Sequence, residues 1–198
     1  MRKSPYAGIR EERWLTKTQE LVTAHPLKQT EIVDVVRGAW NAIFESTIGP
    51  KAFRIGRDLF PKPQIMGFFL HELIALELQS RYPKLWRGEK TGGEKDLVYI
   101  PDDRFSVEVK TSSHGSQIFG NRSYAQESTS SKKDKAGYYL AVNFEKFAEG
   151  KASPAIRKVR FGWLDHADWI GQTAATGQQA RLAGAVEGGK LLTLFDAK

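Results

Sequence analysis

The chain has 198 residues, 40% of them hydrophobic and 27% charged, with 30 Lys and Arg against 23 Asp and Glu for a net charge of +7. That length suits one domain, with 11 Phe, 6 Tyr and 5 Trp to fill a core. The absence of cysteine excludes disulfides, thiol nucleophiles and thiolate zinc sites, and no apolar run reaches the roughly 18 residues of a membrane span.

The opening MRKSPYAGIREERW has no apolar stretch behind its basic start, so it is not read as a secretory signal, and a cytoplasmic protein is expected. Residues 10–24 read as an amphipathic helix with Trp14, Leu15, Leu21 and Val22 on one side. After the break HPL, Thr30 is the expected N-cap of a second helix carrying Ile32, Val35, Val36, Ala39, Trp40 and Ile43 on a wide apolar face. Residues 49–63 read as a loop. Residues 64–80, QIMGFFLHELIALELQS, give the strongest helix signal and are apolar enough to be buried on more than one side. KDLVYI and FSVEVKTS read as strands joined by the turn PDDR. Residues 114–135 form a long polar segment, which in a compact domain points to function or to disorder. AGYYLAVNFEKF is a third, buried strand, KVRFGWLDHADWI a fourth that runs into a short helix, and KLLTLF a last one. The Gly/Ala-rich 176–189 is left without an element. Helices first and mostly antiparallel strands after them define an α/β or α+β fold, with a mixed central sheet flanked by helices. We expect one domain over 1–198, with 1–60 a helical subdomain and 61–198 the core.

The stretch VEVKTSS at 107–113 carries the chemistry. On a strand, Glu108 and Lys110 share one face while Val107 and Val109 point into the core. If Ile100 pairs with Ser106, Asp96 faces Lys110 and lies diagonal to Glu108, within reach of a shared ion. A slip of one residue would send Asp96 to the other face. Two carboxylates suit Mg²⁺, a hard ion that takes oxygen ligands and keeps several waters. Such an ion polarises a phosphate and lowers the pKa of bound water. Lys110 would position or deprotonate the attacking water, or stabilise developing charge.

KDLVYIPDDRFSVEVKTSS resembles the Asp…Glu-x-Lys signature of the PD-(D/E)xK nuclease superfamily, with Lys95 where that motif has Pro. EVKTSSHGSQIFGNRSYAQ more specifically resembles the ScaI-type family of type II restriction endonucleases. The resemblance implies a restriction-endonuclease-like core and Mg²⁺-dependent cleavage of a short palindrome in double-stranded DNA. It also implies a homodimer and functional pairing with a DNA methyltransferase. It makes Asp96 and Glu108 metal ligands, with Val109 joining them, and Lys110 the catalytic lysine. Glu72, on the preceding helix, would support the metal site, in preference to Glu77, which is expected to pair with a basic side chain.

Within 116–126, Gln117, Asn121, Arg122 and Gln126 have the side chains that read base edges, and Tyr124 could stack or touch phosphate. Lys132, Lys133 and Lys135 carry charge without directional specificity and are expected at phosphates. The basic balance leans the same way. Asp102 and Asp103 read as turn residues, and Asp165 or Asp168 as a helix cap. The apolar face of the helices within 10–47 offers a dimer contact. Two other functions compete. One is a structure-specific nuclease of the Holliday-junction resolvase or repair type. The other is a non-catalytic DNA-binding protein that would still bind DNA without Lys110.

Overall fold

The computed structural model describes residues 3–126, 134–148, 153–174 and 176–197. Lys132 and Lys133 lie outside them. The chain opens with helices α1 (Trp14–Ala24), α2 (Gln29–Glu45) and α3 (Pro63–Arg81). The strands follow: β1 (Trp86–Gly88), β2 (Leu97–Tyr99), β3 (Val107–Ser112), β4 (Phe119–Asn121), β5 (Gly137–Phe144), β6 (Ile156–Leu164), β7 (Trp169–Gly171) and β8 (Gln179–Leu182). A short helix α4 (Gly184–Lys190) leads into β9 (Leu191–Asp196).

Six strands form a mixed sheet in the order β1-β2-β3-β5-β6-β9, in which only β3 and β5 run parallel. A second, antiparallel sheet has the order β4-β8-β7. The period of two along β5 assigns the faces. Tyr138, Leu140, Val142 and Phe144 join Val107, Val109 and the apolar sides of α1, α2 and α3 in one core. Tyr139 and Ala141 point the other way, into a second core with Tyr124, Trp169, Ala180 and Leu182 of the small sheet region and Val186 of α4. Covered on both faces, β5 is buried at every residue. Glu108 and Lys110 of β3 lie beside Tyr139 and Ala141, so they belong to the face that the small sheet covers.

Three local expectations are corrected. The second helix begins at Gln29 with Lys28 at the N-cap and no side-chain cap, so Thr30 sits inside its first turn. The six residues expected on the apolar face of α2 are all buried in the chain's own core, which removes that face from a dimer contact. Helix α3 packs against α2, β1 and β3, as expected of a helix buried on more than one side, and leaves Ile65, Phe68 and Leu76 exposed. The hairpin register is shifted by two residues from the expected one, with Leu97 opposite Val107. A 3-10 turn at Asp103–Phe105, capped by the Asp102 side chain on Arg104 N, takes up the chain there. The ladder closes where Tyr99 N donates to Ser106 Oγ at 3.0 Å, and Ile100 N turns to Leu85 O instead. A shift of two keeps every side chain on its face, so Asp96 stays with Glu108.

Candidate active site

The site begins with the two buried carboxylates, Asp96 at 6% and Glu108 at 1% exposure. Asp96 sits just before β2, where its Oδ2 accepts from Val109 N at 2.7 Å. Glu108 projects from the middle of the buried half of β3. Its Oε1 accepts from Lys110 Nζ at 2.8 Å and from the Tyr124 hydroxyl. Lys110 Nζ also reaches Val109 O at 3.2 Å. The structure therefore brings together Asp96, Glu108, Lys110 and the main chain of Val109. Burying two carboxylates is unfavourable unless they are paired, and three basic side chains, Lys110, Lys95 and His71, stand around them.

Two of those three were not foreseen. Lys95 is itself buried, with Nζ 3.8 Å from Glu108 Oε2. It does more than fill the place of a proline: it adds a charge, and Gly137 leaves it room, since a Cβ there would lie 3.2 Å from Lys95 Cε. His71 of α3 places Nε2 3.2 Å from Asp96 Oδ2 and Nδ1 3.3 Å from Glu72 Oε1. Burial alone would lower its pKa, but the hydrogen bonds and charges of Asp96 and Glu72 outweigh this and raise it. Glu72 is itself about half exposed, at 53%. It meets the site only through His71, so the residue that α3 sends to the carboxylates is His71. Glu77 pairs with Arg81 at 2.7 Å, as expected of it.

The donor set fits Mg²⁺: two hard carboxylates and a main-chain carbonyl on one short stretch of strand, with no third carboxylate required. Among the described residues no group of three or more His, Cys, Asp or Glu could hold a metal ion, so the protein's share of such a site would be the two carboxylates and the carbonyl. Asp165 and Asp168 form a capping box at the turn His166–Asp168, and Lys190 Nζ donates to Asp168 Oδ1 at 2.6 Å, which is a structural use.

The segment after β3 is anchored from below. Asn143, fully buried, donates from Nδ2 to His114 O and Gln117 O, each at 3.0 Å. Arg160 donates to Asn143 Oδ1 at 2.9 Å and to Ser116 O, and pairs with Glu187 at 3.3 Å. His114 Nδ1 accepts from Ser116 N and Gln117 N, a loop-ordering role. Beyond this anchor, Asn121 and Gln126 are exposed, while Gln117 and Arg122 are half-buried. Arg122 Nη1 reaches the carbonyls of Ala174 and Gly177, so it braces the next loop. Lys135 Nζ lies 4.3 Å from the Tyr124 ring centre.

Tyr124 is buried, with its hydroxyl on Glu108. Burial first, and then the Glu108 charge, push its pKa up, so its hydroxyl remains a donor. β8, left without an element in the sequence, sets Gln179 opposite Asn121 and Arg181 opposite Phe119 and Ile170. Gln179 and Arg181 are exposed, with Ala180 and Leu182 buried between and after them. A groove of about 650 Å³ lined by His71, Thr111, Ser113, His114 and Phe119 runs from beside Asp96 to Gln179. A second, of about 570 Å³, continues from Phe119 and Gln179 along β8 and β7.

Comparison with known proteins gives the family. The sequence model of the ScaI restriction endonuclease family matches residues 4–195. The type II restriction enzyme ScaI of Streptomyces caespitosus is 48% identical over 193 residues, covering 96% of this chain and 84% of that enzyme. The family match and this relative make the chain a type II restriction endonuclease, a hydrolase that cuts phosphodiester bonds within DNA. The chain belongs to the ScaI restriction endonuclease family.

Proposed function

We propose that this enzyme cuts double-stranded DNA at a short palindromic sequence, with Mg²⁺ held by Asp96, Glu108 and the Val109 carbonyl and with Lys110 as the catalytic lysine. The observation that carries this reading is the placement of Lys110 Nζ 2.8 Å from Glu108 and 3.2 Å from Val109 O, with Asp96 bonded to the same residue's N–H. When bound, the ion supplies charge neutralisation at the scissile phosphate and a more acidic water. Lys110 holds that water or the phosphate oxygen at a fixed place beside Glu108. His71 fixes the Asp96 carboxylate, and Lys95 balances charge at Glu108. Glu72 acts on the site through His71.

Readout is assigned to the small sheet and the segment before it. Asn121 and Gln179 stand side by side and Arg181 lies next to them, a set that suits the edges of A and G in a major groove, which is wide enough for a two-stranded ribbon. Gln117, Arg122 and Gln126 flank this face, and Lys132, Lys133 and Lys135 would meet phosphates. The described helices include none long and apolar enough to cross a membrane, and we place the enzyme in the cytoplasm with a DNA methyltransferase that protects the same sequence. We take the chain as one nuclease domain in which 1–60 adds helices to a core of 61–198. The larger of the two apolar clusters, which runs from Tyr6 to Trp163 and so joins both parts, supports that unity.

A palindrome calls for a two-fold dimer. Support for the homodimer now comes from α3, whose Ile65, Phe68 and Leu76 are 49%, 58% and 58% exposed and recur at helical spacing on one side. Digesting genomic DNA and sequencing the ends tests the reading. One palindrome at every end is expected. Ends without a shared sequence, or clustered at branched structures, would replace it with a structure-specific nuclease.

A further inference from the structure

Tyr124 stands where the readout segment meets the metal-binding carboxylate. It follows β4 directly, in the 3-10 turn Arg122–Ala125. The small sheet region clasps its ring. A Cβ on Gly120 would come within 3.1 Å of that ring and 3.2 Å of Trp169, and the Trp169 ring centre lies 5.2 Å away. Its hydroxyl donates to Glu108 Oε1, the same oxygen that accepts from Lys110. One carboxylate oxygen offers two lone pairs, so Tyr124 and Lys110 together fill it. The ring also carries two ammonium groups, Lys110 Nζ at 4.6 Å and Lys135 Nζ at 4.3 Å from its centre.

One side chain thus touches a metal ligand, the catalytic lysine and a lysine assigned to phosphate, and it rides on the element that bears Asn121. Space filling would need the ring alone. It does not explain a hydroxyl seated on Glu108. Bases docking at β4 and β8, and a phosphate drawing Lys135 away, act on the outer parts of this assembly, and the hydroxyl carries the displacement to Glu108.

We propose that Tyr124 is a positioning residue that couples sequence readout to the metal site: the duplex on the small sheet decides whether Glu108 Oε1 is held by the phenol or released to the ion. The inference rests on the function proposed above. Coupling of this kind is reciprocal, so the right duplex must tighten the ion as much as the ion tightens the duplex.

The test is calorimetric, with Ca²⁺ as the probe ion under conditions where no cleavage product forms. Ca²⁺ affinity is measured alone, with a duplex carrying the site mapped from the wild type's own ends, and with that duplex altered at one base pair. For the wild type, the matched duplex should tighten Ca²⁺ by about 5- to 150-fold, and the altered duplex should do so far less. In Tyr124→Phe, which keeps the ring, Ca²⁺ affinity should no longer depend on which duplex is present. Should that variant not fold, Gly120→Ala displaces the ring without removing a group, and the same loss is expected. Full coupling in a folded Tyr124→Phe, or its absence in a wild type that cleaves and binds Ca²⁺, overturns the inference alone. A wild type that neither binds the ion nor cleaves DNA overturns the proposed function with it.

Discussion

Acid should loosen the hairpin that sets the site, through His25. This side chain is 3% exposed and packed among Trp86, Phe105, Tyr138 and Phe161. Nδ1 accepts from Leu27 N at 3.1 Å, so Nε2 carries the proton and donates to Phe105 O at 3.0 Å. Phe105 ends the 3-10 turn that feeds β3, so His25 helps fix the register of Asp96 against Glu108. Burial outweighs the two main-chain hydrogen bonds and lowers the His25 pKa from 6.5 to about 4. The folded protein therefore refuses a proton that the unfolded chain accepts below pH 6.5. The neutral imidazole's contribution is fully present above that pH and is lost progressively as pH falls toward 4. At 1.36 kcal/mol per unit the whole loss is about 3 kcal/mol, and about 2 kcal/mol of it is gone at pH 5. Urea unfolding at pH 7.5 and pH 5 of the wild type and His25→Gln, which cannot titrate, reads the difference. The wild type should lose about 2 kcal/mol more than the variant over that interval. Equal losses in the two proteins would refute the reasoning.

Three further outcomes follow from the site and its supports. Asn143→Ala removes both bonds to the loop after β3 and strips a partner from buried Arg160, so stability should fall by about 2 to 3 kcal/mol in urea melts. Its single-turnover cleavage should slow as well, and a variant of unchanged stability would contradict the anchor. Asp96→Asn keeps an acceptor for Val109 N but halves the carboxylate charge of the site. It should melt near the wild type, bind Ca²⁺ at least tenfold more weakly (about 1.4 kcal/mol) and lose cleavage. Phe68→Glu places a charge in the exposed stripe of α3 and should shift sedimentation from dimer toward monomer, whereas an unchanged dimer would move the interface elsewhere.

Much of the site was legible because it rests on local periodicity. Alternation along 107–110 is enough to place Glu108 and Lys110 on one face and the two valines in the core. The same reasoning put Asp96 on the right face but in the wrong register, since the length of a hairpin depends on turn chemistry at 102–105 and on where the ladder closes at Ser106. The burial of Tyr124 was not legible, because a tyrosine in a polar stretch looks exposed. Its burial depends on β5, β8 and Trp169, which are distant in sequence. β8 was missed although Gln179–Leu182 alternates exposed and buried; the surrounding Gly and Ala masked it. His71 was overlooked in favour of its neighbour because helical phase at the end of a long contact shifts with small changes in packing. The apolar face of α2 was correctly seen, but amphipathicity says that a face is covered and not by what.

The most direct test of the central claim is cleavage of a sequenced DNA large enough to contain the site, by wild type and Lys110→Ala, with Mg²⁺ or with EDTA. Discrete fragments from the wild type with Mg²⁺ alone, and none from the variant although it still binds duplex DNA, are the predicted result. Equal cleavage by the variant, or fragments that persist in EDTA, would contradict the site built on Asp96, Glu108 and Lys110.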